Sequence, residues 1–301
     1  MSDEQKKTEQ PAPKSETALE LRARDGALIN YDYGEFAGVG SSDLPTSGFL
    51  PYLTVLALQS KALVEGHEKF VEGAKAGQFL LGGAEQRLFD GKKGVIFVPI
   101  HDRHLIIEKT KLDGTGETVN RFDGDPKGPV ATAMRQKFGS DKSKWRSDAG
   151  NFMIDQHDVT GVLFESVEDV AAMKPIAACI VSFSRTKLRA YSKMADGFNK
   201  FPAKQRPPLF ALMTKLTVYM EKGEHDYYNI ALDFPVQGDF ARSLMSPKAE
   251  MFRPWAEQCM KVIEALGSGT LQAGEAQEEA DGGSGAGGAA DGGAGKGTRP
   301  F

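Results

Sequence analysis

Between Ser182 and Arg206 the chain reads SFSRTKLRAYSKMADGFNKFPAKQR. Here Arg185, Lys187, Arg189, Lys193, Lys200, Lys204 and Arg206 stand against one acid, Asp196, with Tyr191, Phe198 and Phe201 interleaved. A second stretch, KGPVATAMRQKFGSDKSKWRS, carries Lys127, Arg135, Lys137, Lys142, Lys144 and Arg146 against Asp141 alone, and sets Trp145 between two cations. Unpaired nucleic acid asks for both ingredients: cations that track phosphates, and flat side chains on which bases stack at about 1–3 kcal/mol each. The plainer reading of such segments is a solvated charged face with its aromatics in the core. Total charge does not decide between them, because the net charge over 301 residues is only -4. A polyanionic partner is signalled by the distribution of charge, not by its sum.

Two further segments hold metal-ligating types. HDRH (101–104) supplies His101, Asp102 and His104, and DQHD (155–158) supplies Asp155, His157 and Asp158. Together they make a metal-dependent nuclease, or another DNA-processing enzyme, an alternative reading. If 101–104 continues a strand, however, His101 and His104 point to opposite faces, and only a turn brings them together. Polar residues at strand ends and turns are the plainer account. His67 and His225 sit in polar, turn-like contexts. No GxxxxGK[ST] loop occurs, and the glycine-rich GGSGAGGAADGGAGKG lacks the flanking strand and helix a phosphate cradle needs. No nucleophile elbow of the GxSxG type is present. The expected protein is therefore not an enzyme and needs no metal or nucleotide cofactor. A third reading, a protein-interaction module whose basic patch docks an acidic partner, uses the same cations.

The elements that must position these residues read mostly as strands. GVIFVPI (94–100) and HLIIEK (104–109) are short and β-branched, and QFLLGGAEQRLFD (78–90) looks like a hairpin turning at Gly82-Gly83. GVLFES (161–166) and PIAACIVSFS (175–184) add two more strands. In TKLTVYMEKGEHDYYNIALDF, Leu216, Val218 and Met220 alternate with Thr217 and Tyr219. After a turn, Tyr228, Ile230, Leu232 and Phe234 alternate with Tyr227, Asn229, Ala231 and Asp233. The first set in each strand is expected to face a core, the second solvent or a ligand. Helices are predicted at GPVATAMRQKFG, at TKLRAYSKMADG ending in Gly197, and at SPKAEMFRPWAEQCMKVIEALG. In the last, Ser246 is the expected N-cap, unless Pro254 marks the start.

Regular βαβ alternation is missing, so the expected fold is mainly β with a few helices, an OB-like open barrel. Residues 1–45 read as a flexible arm, 46–266 as one nucleic-acid-binding domain, and 267–301 as a disordered tail. That tail holds twelve glycines, the acids Glu275, Glu278, Glu279, Asp281 and Asp291, and a terminal Phe301. Cys179 and Cys259 read as buried thiols. With no signal core or membrane-length apolar run, a cytoplasmic setting is expected.

The segment PYLTVLALQSKALVEGHEKFVEGAKAGQFLLGGAEQRLFDGKKGVIFVPI, with its "EGAKAGQF" core, resembles the first half of bacteriophage single-stranded DNA-binding proteins. PIAACIVSFSRTKLRAYSKMADGFNK and PPLFALMTKLTVYMEKGEHDYYNIAL look like their second half. The resemblance spans about residues 49–235. It implies an OB-like domain that binds single strands in phage replication or recombination, within the host cytoplasm. It carries no residue-level site, so the expected site follows from side-chain chemistry. Arg185, Lys187, Arg189 and Lys193, joined by Arg146, contact phosphates. Tyr191 and Trp145, with Tyr219 or Tyr227 of the hairpin, stack on bases. Phe301 is the expected hook for replication or recombination partners. The plainer alternatives are a buried anchor for Trp145 and ordinary sheet surface for the two hairpin tyrosines.

Overall fold

The apolar runs at 94–100 and 104–109 form one fifteen-residue strand, numbered β4 in chain order (Val95–Lys109). It is the spine of the molecule. The protein is described here from a computed structural model, covering residues 50–83, 86–112, 116–223, 226–271 and 273. The predicted arm, most of the tail with Phe301, and His225 lie outside the described residues.

A small antiparallel sheet precedes the spine: β1 (Leu53–Val55), β2 (Phe79–Leu81) and β3 (Arg87–Phe89), the last two forming the hairpin expected around Gly82-Gly83. Along one side of β4 runs β6 (Phe152–Phe164), antiparallel and followed by β7 (Ala177–Ser184). On its other side β4 pairs first with β8 (Thr214–Glu221), which forms a hairpin with β9 (Tyr227–Asp233). Farther along, β4 pairs with β5 (Thr118–Asp123). The order is thus β7-β6-β4-β8-β9, with β5 beside the far half of β4.

Pro99 sits inside this central strand, where it has no N–H for the ladder. The register slips there: Pro99 faces Gly161, yet His101 faces Thr160. This bulge inverts the alternation of β4. Phe97 before it and Asp102, His104, Ile106 and Glu108 after it therefore share one face.

Among the described residues there are four α-helices: α1 (Pro129–Phe138), α2 (Val167–Ala171), α3 (Leu188–Asn199) and α4 (Phe252–Gly267). The sheet curls until its edge strands β7 and β9 both touch α3 and the turn at Arg185–Lys187. β7 and β9 do not pair, so the architecture is mainly β, two antiparallel sheets with no closed barrel. Phe97, Leu163, Val181, Phe183, Leu216, Val218, Ile230 and Leu232 fill the main core beneath Ala190, Met194 and Phe198 of α3. Both cysteines are buried free thiols. Tyr52 bridges to Ile180 of β7, and Leu50 to Ala273, past the predicted end of the domain.

Two helix boundaries depart from expectation. α3 runs through Gly197 because that glycine packs on the aromatic ring of Phe240; a Cβ there would lie 2.0 Å from it. Gly197→Ala is expected to destabilise the fold by about 1–3 kcal/mol, as a lowered thermal midpoint will show. Ser246 does not cap α4. It closes a local turn by accepting from Lys248 N–H at 3.2 Å, and the helix begins at Phe252 with Pro254 in its first turn. Among the described residues no helix is long and apolar enough to cross a membrane.

Candidate nucleic-acid interface

The register of β4 on β6 sets His104 directly opposite His157. Their rings stack face to face, with centroids 4.3 Å apart and planes 4° from parallel. Tyr191 of α3 stacks on the far side of His157 at 3.7 Å. Behind His104 the column ends on Gly124, where a Cβ would lie 2.5 Å from the imidazole. A carboxylate attends each histidine. His104 Nε2 lies 2.7 Å from Asp155 Oδ1, and Lys142 Nζ donates to Asp155 Oδ2 at 2.7 Å. His157 Nδ1 lies 3.1 Å from Asp102 Oδ1, and the Tyr191 hydroxyl donates to Asp102 Oδ2. Polar contacts and one ring stack thus join the basic segment of Lys142 to that of Tyr191.

Burial opposes the ionisation of Asp155, but hydrogen bonds from His104 and Lys142 and the Lys142 charge outweigh it, holding the carboxyl down at about 2. The folded-state pKa is below the ordinary value of 3.8. This contribution to stability is therefore complete above pH 4 and lost as pH falls toward 2. Its size is about 2 kcal/mol. In Asp155→Asn the stability at neutral pH drops by that order, and the acid limb between pH 4 and 2 becomes shallower in urea titrations. Asp158, on the other face, is buried; desolvation pushes its carboxyl up, against hydrogen bonds from Ser182 and Gln156.

Several expected contacts lie elsewhere than on an open surface. Trp145 is 2% exposed and packs with Ile106, Ala131 and Met153, while its Nε1 donates to Gly139 O at 3.1 Å. It is the buried anchor of the α1 segment, so its ring offers no face to a base. Tyr191 is likewise corrected: one face of its ring covers His157 and its hydroxyl is held by Asp102. Lys187, 5% exposed, is buried in the turn between the edge strands. Arg146 lies over the Phe152 ring at 3.9 Å and donates to the carbonyls of Ser143 and Trp145. Arg185, at φ 51°, donates to Leu112 O at 2.9 Å.

The remaining expected residues gather along the outer side of the β8–β9 hairpin. Tyr219 is 37% exposed and Tyr227 half-buried. The cation of Arg189 acts electrostatically on Tyr219, and that of Arg185 on Tyr227. Lys193, one turn beyond Arg189, pairs with Asp233. Between the tyrosines lies Glu221, which accepts from Asn229 Nδ2 at 3.0 Å and from the Tyr219 hydroxyl at 3.2 Å. The Asn229 bond, above all, keeps that carboxyl below its usual range.

Residue types pair the two histidine clusters in the sequence, but only the register of β4 on β6 shows which members touch. A signal was available: Asp102-x-His104 and Asp155-x-His157 both have the spacing that puts acid and imidazole on one face of a strand. His104, Asp155 and His157 offer ligand atoms within 4.8 Å of one another, a group able to hold a metal ion. His101 lies buried on the opposite face, as strand geometry requires.

A family model described as Pam3 phage gp34-like protein matches residues 23–263, most of the chain. No curated protein and no solved structure matches it. The chain belongs to the Pam3 phage gp34-like protein family.

Proposed function

We propose that this protein binds single-stranded DNA without sequence preference and coats it during phage replication or recombination. The observation that carries the reading is the patch where Tyr219 and Tyr227 lie within electrostatic reach of Arg189 and Arg185. An exposed ring and a half-buried one near cations on a curled sheet suit an unpaired strand: stacking for the bases, charge for the phosphates. Phosphate contacts release counterions, stacked bases are held apart, and the coated strand is kept from re-pairing. No bond is made or broken. Membership in a phage protein family supports the setting, the host cytoplasm, and the tail ending in Phe301 is proposed to recruit replication or recombination partners.

The test is a titration of fluorescent oligo-dT and a matched duplex over a series of salt concentrations. Tighter binding to the single strand, with affinity falling steeply as salt rises, supports the reading. Absence of binding at low salt, or a preference for duplex, overturns it. A form cut after Ala273 should bind the oligonucleotide and lose only the partners.

A further inference from the structure

Asp102, His104, Asp155 and His157 come from segments some fifty residues apart and meet on one sheet face, outside the proposed DNA patch. We propose that His104, Asp155 and His157 together bind one divalent first-row transition ion of the zinc class.

Geometry argues for it first. The three ligand atoms lie within 4.8 Å of one another. Ligands about 2.0–2.2 Å from one ion at the tetrahedral angle stand about 3.4 Å apart, so closure takes up to about 1.4 Å of side-chain movement. Both imidazoles stand on adjacent central strands, which cannot drift apart. The donor set argues next: two imidazoles and one carboxylate suit zinc, cobalt or iron, whereas calcium and magnesium prefer oxygen alone. The surroundings complete it. Asp102 lies 3.1 Å from His157 Nδ1 and is itself held by the Tyr191 hydroxyl. That partner puts the ring proton on Nδ1 and leaves Nε2 as the ligand, the carboxylate–histidine–metal arrangement. The side chains of His104, Asp155 and His157 are 13%, 10% and 14% exposed, dry enough to strengthen a metal bond and open enough to admit an ion.

Stacked rings direct their in-plane lone pairs alongside one another, so one ring has to tilt. His157 is pinned by Asp102 and Tyr191. His104 has Asp155 and the bare backbone of Gly124, and is the ring that turns, exchanging its contact with Asp155 for the ion. Lys142, paired with the same carboxylate, is the built-in competitor. Three protein ligands leave a fourth position for water, as in open zinc sites.

The full-length protein, stripped of metal, is titrated at neutral pH with Co²⁺ followed by visible absorption and with Zn²⁺ followed by calorimetry. The expected result is one equivalent per chain, with affinity reduced tenfold or more in His157→Gln and in Asp155→Asn. Tyr191→Phe keeps all three ligands but frees Asp102, and should weaken binding about tenfold. Lys142→Met should tighten it, a change no merely structural role predicts. Absence of saturable uptake by the folded protein overturns the proposal. So does uptake that survives His104→Gln with His157→Gln. If the histidine variants fail to fold, Lys142→Met on its exposed side chain decides alone: affinity unchanged or weaker overturns the site.

Discussion

Trp145→Ala is expected to lower the unfolding free energy by about 3–5 kcal/mol while leaving the DNA affinity of the folded fraction near that of the parent. The indole is sealed against Ile106, Ala131 and Met153 and closes the gap between α1 and the far half of β4. Truncation removes its apolar contacts, opens a cavity, and removes the hydrogen bond from Nε1 to the Gly139 carbonyl. A urea or thermal melt measures the loss. Fluorescence supplies an independent check. Trp145 and Trp255 are the only tryptophans, both are buried, and Trp255 Nε1 donates to Phe210 O at 2.7 Å. Saturating oligo-dT should therefore leave tryptophan emission almost unquenched. Strong quenching, or a Trp145→Ala protein that melts normally but no longer binds, would return this ring to the interface.

The second large effect belongs to the hairpin. Tyr219→Ala and Tyr227→Ala should each weaken oligo-dT binding by about 1–3 kcal/mol, roughly tenfold or more, the ordinary worth of a stacked base. Because Tyr219 is well exposed, its removal should hardly alter the melting temperature. Arg189→Ala should weaken binding alike for every sequence and reduce the salt slope by about 1, the mark of one lost phosphate contact. Unchanged affinity in the double tyrosine variant would remove stacking at this patch from the mechanism. Affinity that varies with base sequence in Arg189→Ala would count against a phosphate role.

Much of the framework was legible from local pattern. The β8–β9 pairing, the hairpin at Gly82-Gly83 and the limits of α1 between Pro129 and Gly139 depend on neighbours close in sequence, so they could be read directly, whereas Met220, expected to face the core, is exposed and Asn229, expected to face outward, is buried. The main-chain end of α3 could not, since Gly197 is set by Phe240, over forty residues away. The merging of two predicted strands into β4 was hidden for a similar reason. Pro99 looks like a break in one dimension, and is absorbed as a bulge only because Gly161 lets the partner strand approach.

By itself the sequence determined the class of fold, the clustering of cations in two segments, and the aromatic types placed among them, because composition and short-range periodicity are local properties. Which aromatic faces water, which cation is already occupied, and which two histidines touch were decided only in three dimensions. Trp145 sits between two cations and Tyr219 between Val218 and Met220 along the chain, yet the first closes a core and the second faces water. The difference lies in strand register and sheet curl, which bring together residues that no sequence window contains.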